Sequence, residues 1–124
     1  DFTVSSTNEI QTVVESMVGK VDAIYAPTDN TIANGMATVA MIANDNGLPV
    51  ICGESGMVES GGLATYGIDY YQLGYMAGEM AVDILVNGTN PGDIPVGYLS
   101  ADKCEFAVNE ETAAKLGIDV SSIQ

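Results

Sequence analysis

The stretch VDAIYAPTDNTIANGMATVAMIANDNGLPVICG, residues 21–53, limits the folds open to this chain more than any other segment. It reads as a strand over Val21–Ala26, a polar turn PTDN, and a helix. The apolar stripe of that helix is Ile32, Met36, Val39, Ala40 and Ala43. Asn46-Gly47 is a helix stop, and Pro49–Cys52 is a second strand. Two short apolar strands joined by a helix form a βαβ unit, which implies a parallel sheet with right-handed crossovers. The first strand is largely apolar, so it is expected to be covered on both faces. The turn PTDN falls at its carboxyl end, the edge where open parallel sheets receive ligands.

The pattern extends in both directions. Residues 2–4 read as a short strand. Ser6 and Glu9 have the spacing of a capping box, and Ile10, Val13, Val14, Met17 and Val18 follow at helical spacing. Thr28 or Asp29 caps the helix after the first strand. The loop GESGMVESGG leads to a further strand over Leu63–Gly67. A long helix then runs from about Tyr70 to Asn87-Gly88, and its Gly74 and Gly78 have the spacing of close helix packing. Two short strand candidates, Val96–Leu99 and Glu105–Val108, come next. Asn109 caps a last helix ending at Leu116-Gly117. One long helix followed by two short strands does not extend the doubly wound rhythm. Part of the last third is therefore expected to belong to a different structural unit.

Charge narrows the function. The 124 residues carry 17 acidic side chains against three cations, for a net charge of −14. The three cations are Lys20, Lys103 and Lys115, with no Arg and no His. Such a chain repels phosphate backbones, so nucleic acid is not expected as a partner. Imidazole catalysis, His metal sites and bidentate Arg clamps are excluded within this sequence. An anionic ligand group must be held by backbone N–H groups, hydroxyls, amides or a rare Lys. Cys52 closes an apolar strand and reads as a small buried hydrophobe; spacing leaves a Cys52–Cys104 disulfide open. No metal or cofactor motif is present, and neither is expected. The opening DFTVSSTNE reads as the tail of a strand, so the chain is expected to be part of a longer polypeptide.

Polar groups gather at three strand ends: Thr28, Asp29 and Asn30; Gly53, Glu54, Ser55 and Gly56; Tyr66, Gly67 and Asp69, with Tyr70 and Tyr71 beside them. In a parallel sheet these turns share one edge. Each also has a plain structural reading. Asp29 can be a helix cap, Glu54 surface, and the tyrosines near Asp69 packing. Together, carboxylates, hydroxyls and an aromatic face suit a small ligand bearing an amine or a ring. Catalysis has weaker support: a carboxylate pair or a Mg²⁺-dependent phospho-acceptor Asp would want clustered acids and a strand-end Lys. The three lysines fall elsewhere.

Three runs carry a resemblance: VSSTNEIQTVVESMVGKVDAIYAPTDNTIANGM, LPVICGESGMVESGGLATYGIDYYQLGYMAGEMAVDIL and IPVGYLSADKCEFAVNEETAAKLGI. Over essentially the whole chain they resemble ABC-transporter substrate-binding proteins, the group that includes tryptophan- and aromatic-amino-acid-type binding lipoproteins. The resemblance implies an α/β fold with a three-layer Rossmann-like parallel sheet. The chain would be one incomplete lobe of a type I periplasmic binding protein. Residues 1–67 would form most of the second ligand-binding lobe. Residues 68–124 would supply the crossover helix, hinge-region strands and C-terminal helix. The other lobe, and the opening strand and helix of this one, would be missing from the chain.

The implied function is to hold an amino acid in an interlobe cleft for a bacterial importer. The implied partners are a small-molecule ligand and an ABC permease. The implied place is extracellular or periplasmic, with a lipid anchor on the absent N-terminus. Carried over by position, Thr28, Asp29, Asn30, Glu54, Ser55, Tyr66 and Asp69 would line or approach the cleft. Two other readings share the sequence pattern: the effector core of a transcription regulator, and a stand-alone phospho-acceptor domain. A fragment with an unpaired sheet edge is expected to dimerise, exchange strands or bind a complementing fragment.

Overall fold

A computed structural model describes residues 1–122. The chain divides into two compact units, residues 1–67 with 106–124, and residues 68–105.

The first unit is built on a four-stranded sheet. Its strands are β1 (Ile24–Ala26), β2 (Val50–Cys52), β3 (Ala64–Gly67) and β4 (Glu105–Val108), side by side in chain order. β1 and β2 pair in parallel, with Ile24 opposite Val50 and Ala26 opposite Cys52. β2 and β3 are also parallel, with Ile51 opposite Ala64. The helices are α1 (Ile10–Met17), α2 (Asn30–Asn34), α3 (Met36–Asp45), α4 (Ser55–Glu59) and α6 (Glu110–Leu116). α1 packs on α3, α3 on α6, and α4 on β2 and β3.

The core lies between these helices and one face of the sheet. Ile10 and Val14 of α1 meet Met36, Val39, Ala40 and Ala43 of α3. Ile24, Ala26, Val50 and Cys52 rise from the strands beneath them, with Met57 and Val58 from α4. Burial alternates along β1, β2 and β3, so the expectation of a first strand covered on both faces is corrected. Tyr25, Ile51 and Tyr66 share the other face, and Tyr25 is 68 % exposed. Alternation is the pattern of a sheet packed on one side.

Four local readings are also revised. Residues 2–4 form no strand; Val4 packs loosely against the core and Phe2 stays exposed. Val96–Leu99 forms no strand either. Ser6 precedes a short 3-10 turn but makes no side-chain cap, and Glu9 accepts instead from Ser5 N at 2.9 Å. The helix after PTDN is broken in two at Gly35. A Cβ there would collide with Ile10 Cδ1, so α1 approaches α3 over a residue with no side chain.

α6 ties the end of this unit back to its middle. Asn109 caps it through Thr112 N at 3.0 Å and donates its amide to Val58 O at 3.0 Å. Thr112 Oγ1 and Asn44 Nδ2 both donate to Gly61 O. The exposed pair Lys115–Asp45 adds a surface contact at 2.7 Å.

The second unit is α5 (Tyr70–Leu85) and the segment after it. Met76 and Met80 of α5 lie against Gly97, where a Cβ would meet their side chains at 2.9 Å or less. No residue of α5 is buried, and Tyr71, Tyr75, Val82 and Leu85 are exposed. Gly74 and Gly78 face open space rather than a packed helix. Cys52 and Cys104 are both free thiols, so no disulfide joins them.

Candidate functional site

Two turns of the first unit meet along the carboxyl edge of its sheet. Gly53 N continues the ladder by donating to Ala26 O at 2.9 Å, which ties the end of β2 to the end of β1. Directly above Gly53 lies Thr28: a Cβ on Gly53 would come within 2.5 Å of Thr28 N and collide with its Oγ1. A Cβ on Gly67 would stand 2.8 Å from Gly53 O and 3.3 Å from Glu54 Cα. The ends of β1, β2 and β3 therefore stack shoulder to shoulder, in the order Thr28, Gly53-Glu54, Gly67.

The carboxylates at these turns are helix caps. Asp29 Oδ1 accepts from Thr31 N at 2.7 Å and Ile32 N at 3.1 Å, opening α2. Glu54 Oε2 accepts from Gly56 N at 2.9 Å, opening α4. A cap of this kind contributes about 1 kcal/mol and, more to the point, fixes the carboxylate's direction. Each carboxylate uses one oxygen on the backbone, and the second accepts no hydrogen bond among the described residues. Thr28, Asp29 and Asn30 are exposed, while Glu54 and Ser55 are half-buried. Tyr66 is 61 % exposed on the uncovered face of β3.

Asp69 lies in the second unit, where its Oδ1 accepts from Gln72 N at 3.0 Å and caps α5. Thus the acids at all three strand ends are N-caps, the plain structural reading of Asp29 extended to Glu54 and Asp69. Capping does not remove a carboxylate from solvent or from a ligand.

Beneath the row sits Cys52, buried beside Glu54. Burial, and next the Glu54 charge, push its thiol up to about 11, so it is a neutral packing group rather than a nucleophile. Its Sγ lies 3.9 Å from Val50 O. Thr65, two residues before Gly67, is 2 % exposed, and its Oγ1 has no hydrogen-bond partner among the described residues. Among the described residues no group of three or more Cys, Asp or Glu is placed to hold a metal ion. No described helix is long and apolar enough to cross a membrane. A cavity of about 120 Å³ lies elsewhere: an apolar groove between Phe2, Val4 and α1 on one side and β1 on the other.

Sequence reasoning located Thr28, Asp29, Asn30, Glu54 and Ser55 at strand ends. It placed Gly53 and Gly67 at those ends too but gave them no contact role, because glycine after a strand reads as turn punctuation. One signal was available: both end apolar strands and neither is followed by a second turn former such as Asn or Pro.

A parallel sheet with paired polar turns along its carboxyl edge has many relatives, and sequence similarity selects among them. The chain belongs to the family of ABC transporter substrate-binding proteins, whose sequence model matches residues 1–123. Members of that family work outside the cytoplasmic membrane, in the periplasm or at the cell surface.

Three relatives give this a closer setting. A tyrosine-binding protein of Clostridioides difficile is 46% identical over 113 residues, which is 91% of this chain and 32% of that protein. A domain from Streptococcus pneumoniae, crystallised with L-tryptophan, is 41% identical with a TM-score of 0.85, over 98% of this chain and 40% of that one. The ligand-free, open form of a substrate-binding protein with adhesive properties, from Clostridium difficile, is 45% identical with a TM-score of 0.71. That match covers 96% of this chain and 39% of the other. The chain thus spans well under half the length of the relatives it matches.

Proposed function

We propose that this chain supplies one wall of the ligand cleft in the solute-binding component of a bacterial ABC importer. The ligand is an amino acid with an aromatic side chain, and the protein holds it without catalysing a reaction. The observation that carries this reading is the strand-end row of Thr28, Asp29 and Glu54, in a chain 41% identical to a domain crystallised with L-tryptophan.

The chemistry divides naturally. The second oxygens of Asp29 and Glu54 face an ammonium group, and capping holds both carboxylates in place before the ligand arrives. Preorganised acceptors of this kind lose less on binding than mobile ones. With no Arg and three lysines, the ligand carboxylate is left to hydroxyls and amides, here Thr28, Ser55 and Asn30. Tyr66, and Asp69 where α5 begins, complete the residues assigned to the ligand. Residues 1–67 form most of one lobe, and residues 68–124 supply the crossover helix, hinge-region strands and C-terminal helix. The opposing lobe comes from the rest of a longer, lipid-anchored polypeptide. Closure of the two lobes on the ligand presents the loaded form to the permease. Two features support a missing neighbour: β1 stands at the sheet edge, and the apolar groove beside it is open. Alone, the chain is expected to dimerise or exchange strands through that edge.

Calorimetry on the intact protein tests the ligand. L-tryptophan, L-tyrosine and L-phenylalanine are titrated first, then the remaining amino acids and a nucleoside set. Heat of binding with an aromatic amino acid is expected, weakened at least tenfold in Asp29→Asn and Glu54→Gln. Silence across the whole panel overturns the reading.

A further inference from the structure

The glycines of unit one fall into two kinds. Gly19, Gly47, Gly61 and Gly117 have positive φ and are there for backbone freedom. Gly53 and Gly67 do not have positive φ, so any residue could adopt their backbone conformation. What excludes a side chain from them is contact. At Gly67 the contacts are 2.8 Å to Gly53 O, 2.8 Å to Thr65 Oγ1 and 3.3 Å to Glu54 Cα. Two of these three partners are backbone atoms of the turn that carries Glu54. Backbone cannot rotate out of the way, so a Cβ at position 67 has to push the whole 53–54 turn outward.

Packing alone is a weaker account of this glycine. Gly35 and Gly62 are the packing glycines of this unit, and the first contact of each is with a core side chain, Ile10 Cδ1 and Cys52 Sγ. Gly67 instead meets a turn at the solvent edge. The Thr65 hydroxyl at this contact has no partner among the described residues, which is a cost rather than a gain in stability. Nothing in the core benefits from that crowding. What it does fix is the height of Glu54 above the end of β3.

We propose that Gly67 is a positioning residue: the missing Cβ seats the Gly53-Glu54 turn on the end of β3 and so sets where the Glu54 carboxylate stands in the ligand row. Gly53 does the same for Thr28 one strand over, so the row is a staircase of two bare steps. The proposal rests on the reading of that row as a ligand wall, and it names the residues that give the wall its spacing.

A double-mutant cycle on the intact protein tests it, with L-tryptophan as the probe ligand and melting temperature followed alongside. G67A is expected to weaken binding about tenfold. In an E54Q background the same substitution is expected to change affinity less than about twofold, because a residue that acts through Glu54 has nothing left to position. Unchanged affinity in G67A, or losses that multiply in the double variant, overturns the proposal. Should G67A not fold, the cycle is run in a T65A background, which removes one of the three contacts.

A ligand-free readout separates this from the functional reading. Gly56 N donates to Glu54 Oε2, so its amide resonance reports the carboxylate's position. It is expected to shift in G67A with no ligand present; an unmoved Gly56 amide overturns the positioning role. If the wild type binds no L-tryptophan, the functional reading loses its support while the Gly56 shift still decides the role of Gly67.

Discussion

The two units of this chain bury themselves to very different degrees. Among the described residues, unit one closes a core of fourteen buried side chains drawn from α1, α3, α4, the loop before β2 and the strands. Unit two is dominated by a sixteen-residue helix, α5, that buries none of its residues. Both are rich in apolar side chains. In unit one the apolar positions repeat on one face, and partners close over them; in unit two, Met76 and Met80 find Gly97 while Tyr71, Tyr75 and Leu85 stay in water. Apolar content alone therefore does not make a core. A partner surface at the right distance does.

The largest test of that contrast is truncation of a methionine in each unit. Met36, fully buried in α3, is expected to cost about 2–5 kcal/mol as Met36→Ala, the range for emptying a packed site. Truncation of the half-buried Met80 of α5, Met80→Ala, is expected to cost less than about 1 kcal/mol, where the hole opens to solvent. Denaturant melts of the intact protein measure both; equal costs would break the comparison.

A smaller effect comes from the Cys52 thiol. Cys52 in the folded state has its pKa raised from 9.0 to about 11. The folded state therefore holds the proton more tightly than the unfolded one. The stability this represents is fully present below pH 9 and is lost as pH rises toward 11, by at most about 2–3 kcal/mol. Cys52→Ala is expected to flatten that part of the pH–stability curve. A fall as steep in Cys52→Ala as in the unsubstituted protein would contradict the assignment to Cys52.

The smallest effect expected is at two asparagine caps. Asn109 caps α6 and also donates to Val58 O, half-buried, in unit one. Asn90 caps only an exposed 3-10 turn at Gly92 N in unit two. Asn109→Ala is expected to cost about 1–2 kcal/mol and Asn90→Ala a few tenths. Thermal melts sharpen the comparison if the two differ as stated, and blunt it if they agree.

What could be read from the sequence follows the same division. β2, β3, β4 and the caps Asp29 and Asn109 were legible because each is specified by neighbours in the chain. The close approach of α1 at Gly35 was not, because the partner there is the distant Ile10. Residues 2–4 and 96–99 have strand-forming side chains, but a strand exists only where another pairs with it. The uncovered sheet face was missed for a related reason: Tyr25 and Ile51 look like core in an apolar run, and only pairing shows which way they point. At the candidate site, the strand-end residues were readable from turn chemistry. The two glycines that space them were not, since contacts between turns leave no mark in any single segment.

The return of α6 to Gly61 and Val58 has a consequence for the order in which the molecule can be made. Residues 68–105 are an insertion between β3 and β4, so the sheet stays open until synthesis passes Val108. The ribosome releases β1, β2 and β3 long before their last neighbour exists. Folding of unit one is then a wait for a late-made piece rather than a steady accretion. The entropy of closing such a loop grows only logarithmically with length, about 0.6 kcal/mol per doubling. For unit one alone, the length of this stretch therefore bears little on closure, provided Asn109 and Thr112 still arrive to fasten it.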